Sequence, residues 1–161
     1  MENIRNKVLT GVTGEYYVAA ELSRRGYLAS ITLRNTKGVD IVCSNADASR
    51  AVGIQVKTST GMQRGWMLSQ KGEKYYAENL FYVFVNMSRD PKESPEFTIV
   101  PSKVVAEQIT QSHSEWLKTL SKKGLAHRDS AMRVFRDPEE KYLGRWDLLG
   151  LDTVESSAGR T

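Results

Sequence analysis

The eight residues from Leu80 to Met87 (LFYVFVNM) form a continuous apolar run that is rich in aromatic and β-branched side chains. Such a run is typical of a strand buried in the middle of a sheet, because a strand with one face in water alternates apolar and polar residues. A polar segment over 88–95 follows, and then a strand-like segment over 97–100 that Pro101 ends. The chain is therefore predicted to fold around a buried sheet.

Helical and extended segments alternate along the rest of the chain. Apolar residues at helical spacing predict a first helix that Gly26 ends, and the sequence Asp-Pro-Glu-Glu at 137–140 has the features of a helix start. Together the segments predict an α/β fold, a mixed β-sheet flanked by α-helices, in the order α-β-β-β-α-β-β-α-α. The predicted helices cover 12–25, 71–79, 102–123 and a segment after Asp137 that buries Tyr142, Leu143, Trp146 and Leu149; the predicted strands cover 27–33, 39–43, 51–57, 80–87 and 97–100, and 60–70 is a loop or a short strand.

The composition is that of a globular protein, with 161 residues of which 40% are hydrophobic and 26% charged. We expect one domain over 1–152 and a small, polar, flexible tail over 153–161. A run of about 18 apolar residues, as a membrane span needs, does not occur, and no secretory signal is visible, so a cytoplasmic location is expected. The single cysteine, Cys43, excludes a disulfide framework and is predicted to be a small buried hydrophobe.

Four polar residues occupy positions where a sheet and a helix would bring them together. Asp40 lies inside the apolar sequence GVDIV, and Gln55 and Lys57 share one face of the following strand, because side chains alternate along a strand. The segment 44–50 is long enough to close a hairpin between these strands, which would place Asp40 close to both residues. Glu15 reaches the same point if the first helix packs across the sheet.

This set of residues suits the cleavage of a phosphodiester bond. The reaction needs a water molecule in line with phosphorus and neutralisation of the charge on the phosphoryl and leaving oxygens, which Mg²⁺ (or Mn²⁺) held by oxygen ligands supplies. Asp40 offers an anionic oxygen, and Gln55 and the backbone carbonyl of Val56 offer neutral ones, while Glu15 binds through a water. Lys57 would hold or deprotonate the attacking water, or stabilise the developing charge.

At these residues the chain resembles the PD-(D/E)xK nuclease superfamily, also called restriction-endonuclease-like. The resemblance consists of a helix with Glu15, the strand sequence Gly38-Val39-Asp40, the strand end Gln55-Val56-Lys57, and the run from Gly14 to Tyr27. It covers residues 10–60 and points to the branch of Holliday-junction resolvases and of restriction endonucleases with Gln at the middle acidic position. It implies a metal-dependent endonuclease that acts on DNA, and a homodimer, since two strands require two active sites.

The sequence departs from the motif at two positions. Val39 replaces the proline, a change that is common in such enzymes, and Gln55 replaces an acidic residue. The second change leaves one carboxylate fewer for a metal. A catalytically inactive nucleic-acid-binding module on the same fold is therefore an alternative.

The net charge of +4 permits a nucleic-acid partner without requiring one. The segment 57–74 has an excess of basic residues with Trp66 and the pair Tyr75-Tyr76 interleaved, which makes it the predicted substrate-facing segment, although Trp66 and one tyrosine could equally belong to the core. The candidate phosphate-binding residues are Arg24, Arg25, Arg34, Lys37, Arg64, Lys71 and Lys74.

Plain structural interpretations remain open beside the catalytic one. Asp40 could form a structural ion pair with Lys57, and the basic surface could belong to an interaction protein that binds an acidic partner. Trp116 and Trp146 lie on apolar stripes and are predicted to be core residues.

Overall fold

The structure, a computed structural model, describes residues 2–33, 38–61 and 64–152, with side chains from residue 6 onward. It contains two α-helices, seven strands and two short 3₁₀ helices in these ranges. They are α1 (Glu2–Arg24), β1 (Leu28–Ile31), β2 (Ile41–Ser44), β3 (Ala51–Thr60), β4 (Gly65–Ser69), a 3₁₀ helix (Gln70–Lys74), β5 (Leu80–Met87), β6 (Glu96–Pro101), α2 (Ser102–Leu117), β7 (Met132–Arg136) and a second 3₁₀ helix (Trp146–Leu149).

The strands form a five-stranded mixed sheet and a separate two-stranded ribbon. The central sheet has the order β1-β2-β3-β5-β6, and all its neighbours are antiparallel except β3 and β5, which are parallel. Strands β4 and β7 pair antiparallel and form the ribbon. The predicted central strand is confirmed, because β5 lies between two neighbours and is buried from Leu80 to Asn86.

Alternation of side chains along β3 and β5 divides the interior into two layers. On one face of the sheet, Val18 and Leu22 of α1 pack against Ile54 and Val56 of β3 in one apolar cluster. On the other face, a second cluster joins residues of β5, α2 and the ribbon. Its members are Trp66, Leu68, Tyr82, Phe84, Val100, Val105, Ile109 and Phe135.

Helix α1 approaches β3 closely at Gly14. This glycine is buried, and a Cβ atom in its place would lie 3.1 and 3.2 Å from the Cβ and Cγ2 atoms of Thr58 and would overlap the Thr58 hydroxyl. That hydroxyl is buried without a hydrogen-bond partner in the described part of the chain. The absence of a side chain at position 14 therefore sets how close the helix lies to the sheet.

The predicted helices differ from the observed ones at several ends. Helix α1 begins at Glu2 instead of residue 12, and the sequence does not predict this start because residues 6–9 are exposed and form no buried apolar stripe. The helix predicted over 71–79 is only the 3₁₀ helix, since Ser102 bonds both the N–H and the carbonyl of Ala77, and the chain then makes a turn at residues 78–79 before β5. Helix α2 ends at Leu117 instead of residue 123.

The C-terminal region departs furthest from the prediction. Strand β7 is not predicted, because one of its two buried positions is the charged Arg133 and the other is Phe135, so the strand lacks an apolar pattern. The helix predicted after Asp137 is wrong: the carboxylate of Asp137 caps a turn, and Glu140 and Gly144 have the left-handed φ values of 56° and 66° that stop a helix.

Aromatic residues near the C-terminus only partly follow the prediction. Trp146 and Leu149 are buried, whereas Tyr142 and Leu143 are half-buried and run beside β6. Trp116 is 40% exposed and is not a core residue, because α2 ends one residue later and its ring stacks on His127 at the surface. The predicted tail over 153–161 lies outside the described residues.

Candidate active site

Asp40 immediately precedes β2, and its backbone continues the pairing of that strand. Its N–H donates to the carbonyl of Ile54 at 2.8 Å, and its carbonyl accepts from the N–H of Thr32 at 2.9 Å. Because Ile41 pairs with Ile54, Asp40 stands opposite Gln55. The hairpin predicted between these strands is confirmed, and it sets Asp40 beside Gln55.

The backbone of β3 holds the carboxylate of Asp40. Oδ2 accepts a hydrogen bond from the N–H of Val56 at 2.7 Å, and Oδ1 has no hydrogen-bond partner among the described residues. The N–H and C=O groups of one strand residue point to the same side of the strand. The Val56 carbonyl therefore lies on the same edge of β3 as the Asp40 carboxylate.

Gln55 and Lys57 lie on the face of the sheet opposite α1. Both are half-buried and line a cleft, with Tyr82 beside them. Within the described ranges, neither side chain has a hydrogen-bond or ion-pair partner, so the structural ion pair between Asp40 and Lys57 is not formed. The side chains of Gln55 and Lys57 therefore face the cleft, and no described residue hydrogen-bonds to them.

The cleft has a volume of about 640 Å³ and lies between the central sheet and the segment that follows β3. Lys71 and Lys74 of the 3₁₀ helix form one wall, and Met67 and Met132 of the ribbon form its rim. Its described lining contains lysines and no carboxylate. Such a cleft favours an anionic ligand, since charges of one sign between low-dielectric walls concentrate the field.

Tyr75 connects the lysine wall to the segment that carries Asp40. Its ring and hydroxyl lie against Gly38, where a Cβ atom would be only 2.7 Å from Tyr75 Cε1, and Gly38 has φ +79°. Burial, followed by the charges of Tyr75 and Asp40, raises the pKa of Tyr82 to about 12. In the sequence, Tyr75 stands out only as one of two aromatic residues near the basic segment. Its contact with Gly38 could not be predicted, because a contact between distant residues produces no local sequence pattern.

Glu15 lies on the other side of the sheet. Gly14 rests on Thr58, so Glu15 stands beside β3 at a point two residues beyond Val56. Strand β2 pairs with β3 only as far as Ile54, so that stretch of β3 lies past the end of the β2 pairing. The structure brings Asp40, Gln55 and Lys57 together and places Glu15 at the neighbouring edge, on the α1 face.

The predicted phosphate-binding residues fall into two groups. Lys71 and Lys74 line the cleft, as the interpretation of segment 57–74 requires, whereas Trp66 is buried in the core. The structure does not bring the others described to the cleft: Arg24 and Arg25 pair with Glu21 at the end of α1, and Arg64 pairs with Glu140 and Glu96. The predicted residues Arg34 and Lys37 lie outside the described residues.

The oxygen donors at Asp40 fit a hard divalent cation. Asp40 Oδ1, the side-chain carbonyl of Gln55 and the Val56 carbonyl are the kinds of ligand that Mg²⁺ and Mn²⁺ prefer. The described residues contain no cluster of three His, Cys, Asp or Glu side chains that could hold a metal. A metal here would therefore depend on one carboxylate and on neutral oxygens.

Comparison with protein-family models and with curated protein sequences finds no match. Among solved structures, the chain is similar to a Holliday junction resolvase from the archaeal hyperthermophile Archaeoglobus fulgidus, with a TM-score of 0.50 and 13% identity over 89% of this chain and 98% of that chain. A bacterial homing endonuclease superposes with a TM-score of 0.47 and 15% identity over 88% of each chain. The first likeness shows the fold: the chain has the restriction-endonuclease-like architecture that its sequence predicts.

The structure also bears on membrane insertion. Across the described ranges, neither helix combines the length and the apolar character that crossing a bilayer would require.

Proposed function

We propose that this protein is a metal-dependent DNA endonuclease with its active site at Asp40, Gln55, Val56 and Lys57, assisted by Glu15. The observation that carries the proposal is that the Asp40 carboxylate, held by the N–H of Val56, stands opposite Gln55, which lines a basic cleft together with Lys57. Neither Gln55 nor Lys57 has a side-chain partner among the described residues. A structural role would predict mutually satisfied side chains at half-buried positions. The shared fold with a Holliday junction resolvase supports DNA as the substrate class.

Each residue has a part that follows from its chemistry. Asp40, Gln55 and Val56 would hold Mg²⁺ or Mn²⁺, with Glu15 acting through a water, and the bound metal would supply charge neutralisation at the scissile phosphate. The hydrogen bond from Val56 N–H orients the Asp40 carboxylate and leaves Oδ1 for binding. Lys57 donates to the attacking water or to a phosphoryl oxygen, and Lys71 and Lys74 hold neighbouring phosphates.

Nicking of supercoiled plasmid in Mg²⁺ or Mn²⁺ tests the proposal. Lys57→Ala is expected to abolish nicking while the far-UV circular dichroism spectrum stays that of the wild type. The matched control is Lys123→Ala, which removes an exposed lysine beyond α2 and leaves nicking unchanged. Equal nicking by Lys57→Ala and the wild type would contradict the assigned role.

One observation favours a second candidate, a nucleic-acid-binding module without catalysis. Of the acidic side chains described, Asp40 stands with Gln55 and Lys57, while Glu15 lies on the α1 face. Calorimetric titration with Mn²⁺ separates the two functions: the endonuclease requires binding that Asp40→Ala removes. A wild-type protein that binds duplex DNA but shows neither Asp40-dependent metal binding nor nicking is the inactive module.

Cleavage of both strands of a duplex requires two such sites. We therefore infer a homodimer as the active species, in keeping with the expectation from the sequence. Light scattering coupled to size-exclusion chromatography, with and without duplex DNA, measures the mass directly; 18.1 kDa for the free protein and one protein chain per duplex in the complex would contradict the inference.

A further inference from the structure

The β4–β7 ribbon presents an apolar outer face beside the candidate active site. In register, Met67 pairs with Val134 and Ser69 with Met132, so the two methionines are diagonal neighbours, about 7–8 Å apart in an antiparallel pair. Their inward-facing neighbours Trp66, Leu68 and Phe135 are buried, whereas Met67 is 63% and Met132 52% exposed.

Cationic side chains flank this apolar face at both ends. Lys71 and Lys74 follow β4 on the 3₁₀ helix, and Arg136 lies over Gly65 at the other end of the ribbon. Arg136 forms no ion pair with any residue of the described ranges. An apolar centre between cations matches a duplex, whose bases lie between two rows of phosphates.

The ribbon is fixed to the wall of the cleft and so has a defined position relative to Asp40 and Lys57. Arg133, on its inner face, is 6% exposed and pairs with Glu73 of the 3₁₀ helix, and it also donates to the carbonyl of Ser130 at 2.6 Å. This pair neutralises the acidic residue nearest the lysine wall. The outer face is therefore held next to a cleft whose described lining contains no carboxylate.

We propose that the β4–β7 ribbon docks in the major groove of the DNA next to the scissile phosphate, with Met67 and Met132 against thymine methyl groups. The major groove admits a two-stranded ribbon, whereas the minor groove is about half as wide. Apolar side chains recognise the thymine C5-methyl group there, and Lys71, Lys74 and Arg136 contact the flanking phosphates. This inference rests on the proposed function and adds a base preference to it.

Fluorescence anisotropy with an AT-rich duplex, in EDTA so that no cleavage occurs, tests the contact. Replacing every thymine by uracil removes only the methyl groups and is expected to weaken binding of the wild type at least threefold. Met67→Ser/Met132→Ser is expected to weaken binding of the thymine duplex by a similar factor and to bind both duplexes equally. The slope of log K against log salt stays unchanged for that variant. In Lys71→Ala/Lys74→Ala the slope becomes less negative by about 1.8, since each phosphate contact contributes about −0.9.

Leu9→Ser/Tyr16→Ser is the matched control. It removes two apolar side chains of 64% and 65% exposure from α1, on the opposite side of the central sheet, and should retain the wild-type discrimination between the duplexes. Equal binding of both duplexes by the wild type overturns the ribbon contact while leaving the endonuclease proposal intact. If the methionine variant has a lower oligomeric mass but an unchanged affinity for DNA, the ribbon is a protein interface and the proposed DNA contact is overturned. If the wild type binds no duplex, both the ribbon contact and the endonuclease proposal are refuted.

Discussion

Two glycines of α1, three residues apart, provide a test of the helix–sheet packing that positions Glu15. Gly14 lies against Thr58, whereas a Cβ atom at Gly11 would have no atom within 4 Å. Replacing either by alanine gains about 1 kcal/mol of helix propensity. At Gly14 the added methyl also overpacks the contact with Thr58, which costs about 1–3 kcal/mol.

The difference in the free energy of unfolding between the two variants therefore measures the cost of overpacking at Thr58. We expect Gly11→Ala to raise the free energy of unfolding by up to about 1 kcal/mol and Gly14→Ala to fall about 1–3 kcal/mol below it. Urea denaturation followed by circular dichroism measures both values, and the melting temperatures should differ by about 2–4 °C for each kcal/mol in a domain of this size.

Making Gly14→Ala in a Thr58→Ala variant identifies which atoms of Thr58 cause the overpacking. Thr58→Ala removes Oγ1 and Cγ2 and leaves only its Cβ near position 14, so Gly14→Ala should cost much less there than in the wild type. Gly14→Ala should also reduce nicking more than Gly11→Ala does, because a displaced helix carries Glu15 with it. If Gly14→Ala is as stable as Gly11→Ala, the close approach of α1 to β3 is refuted.

Two further predictions concern charge. Gln55→Glu adds a second carboxylate beside Asp40 and should retain or raise the affinity for Mn²⁺ in calorimetric titration; a clear loss of binding contradicts the ligand role of Gln55. Burial raises the pKa of Cys43 to about 11, and burial and then the hydrogen bond to Asp152 raise that of Tyr27 to about 12. Since the folded chain keeps these protons to a higher pH than the unfolded chain, stability that is complete below pH 9 should fall as the pH rises toward 11. Urea midpoints measured from pH 8 to 11 check this, and a constant midpoint would contradict it.

The central part of the fold could be predicted because its signals are local. The run at 80–87 is apolar on both faces, which predicts a buried strand. The hairpin between β2 and β3 is short, so the alternation of side chains along the two strands is enough to place Asp40 opposite Gln55. The same local signals predicted the fold class, and the similarity to a solved structure confirms it. The roles of these residues in metal binding and catalysis stay predictions.

The parts that could not be predicted depend on contacts between distant segments. Strand β7 exists because its residues pair with β4, more than 60 positions earlier, and the inward Arg133 forms an ion pair with the distant Glu73 in addition to the bonds it makes within its own segment. Tyr75 contacts Gly38 across the cleft, and Asp137 caps a turn that resembles a helix start in sequence. In each case tertiary contacts override the local pattern.

The parallel pairing of β3 with β5 has a consequence for how the parts of the cleft depend on one another. Parallel strands require a long crossover, and here that crossover, from Gly61 to Asn79, itself supplies the lysine wall and the first strand of the ribbon. Pairing of β5 with β3 therefore also fixes the wall of the cleft, so a change in the length of this crossover would alter the strand pairing, the lysine wall and the ribbon together.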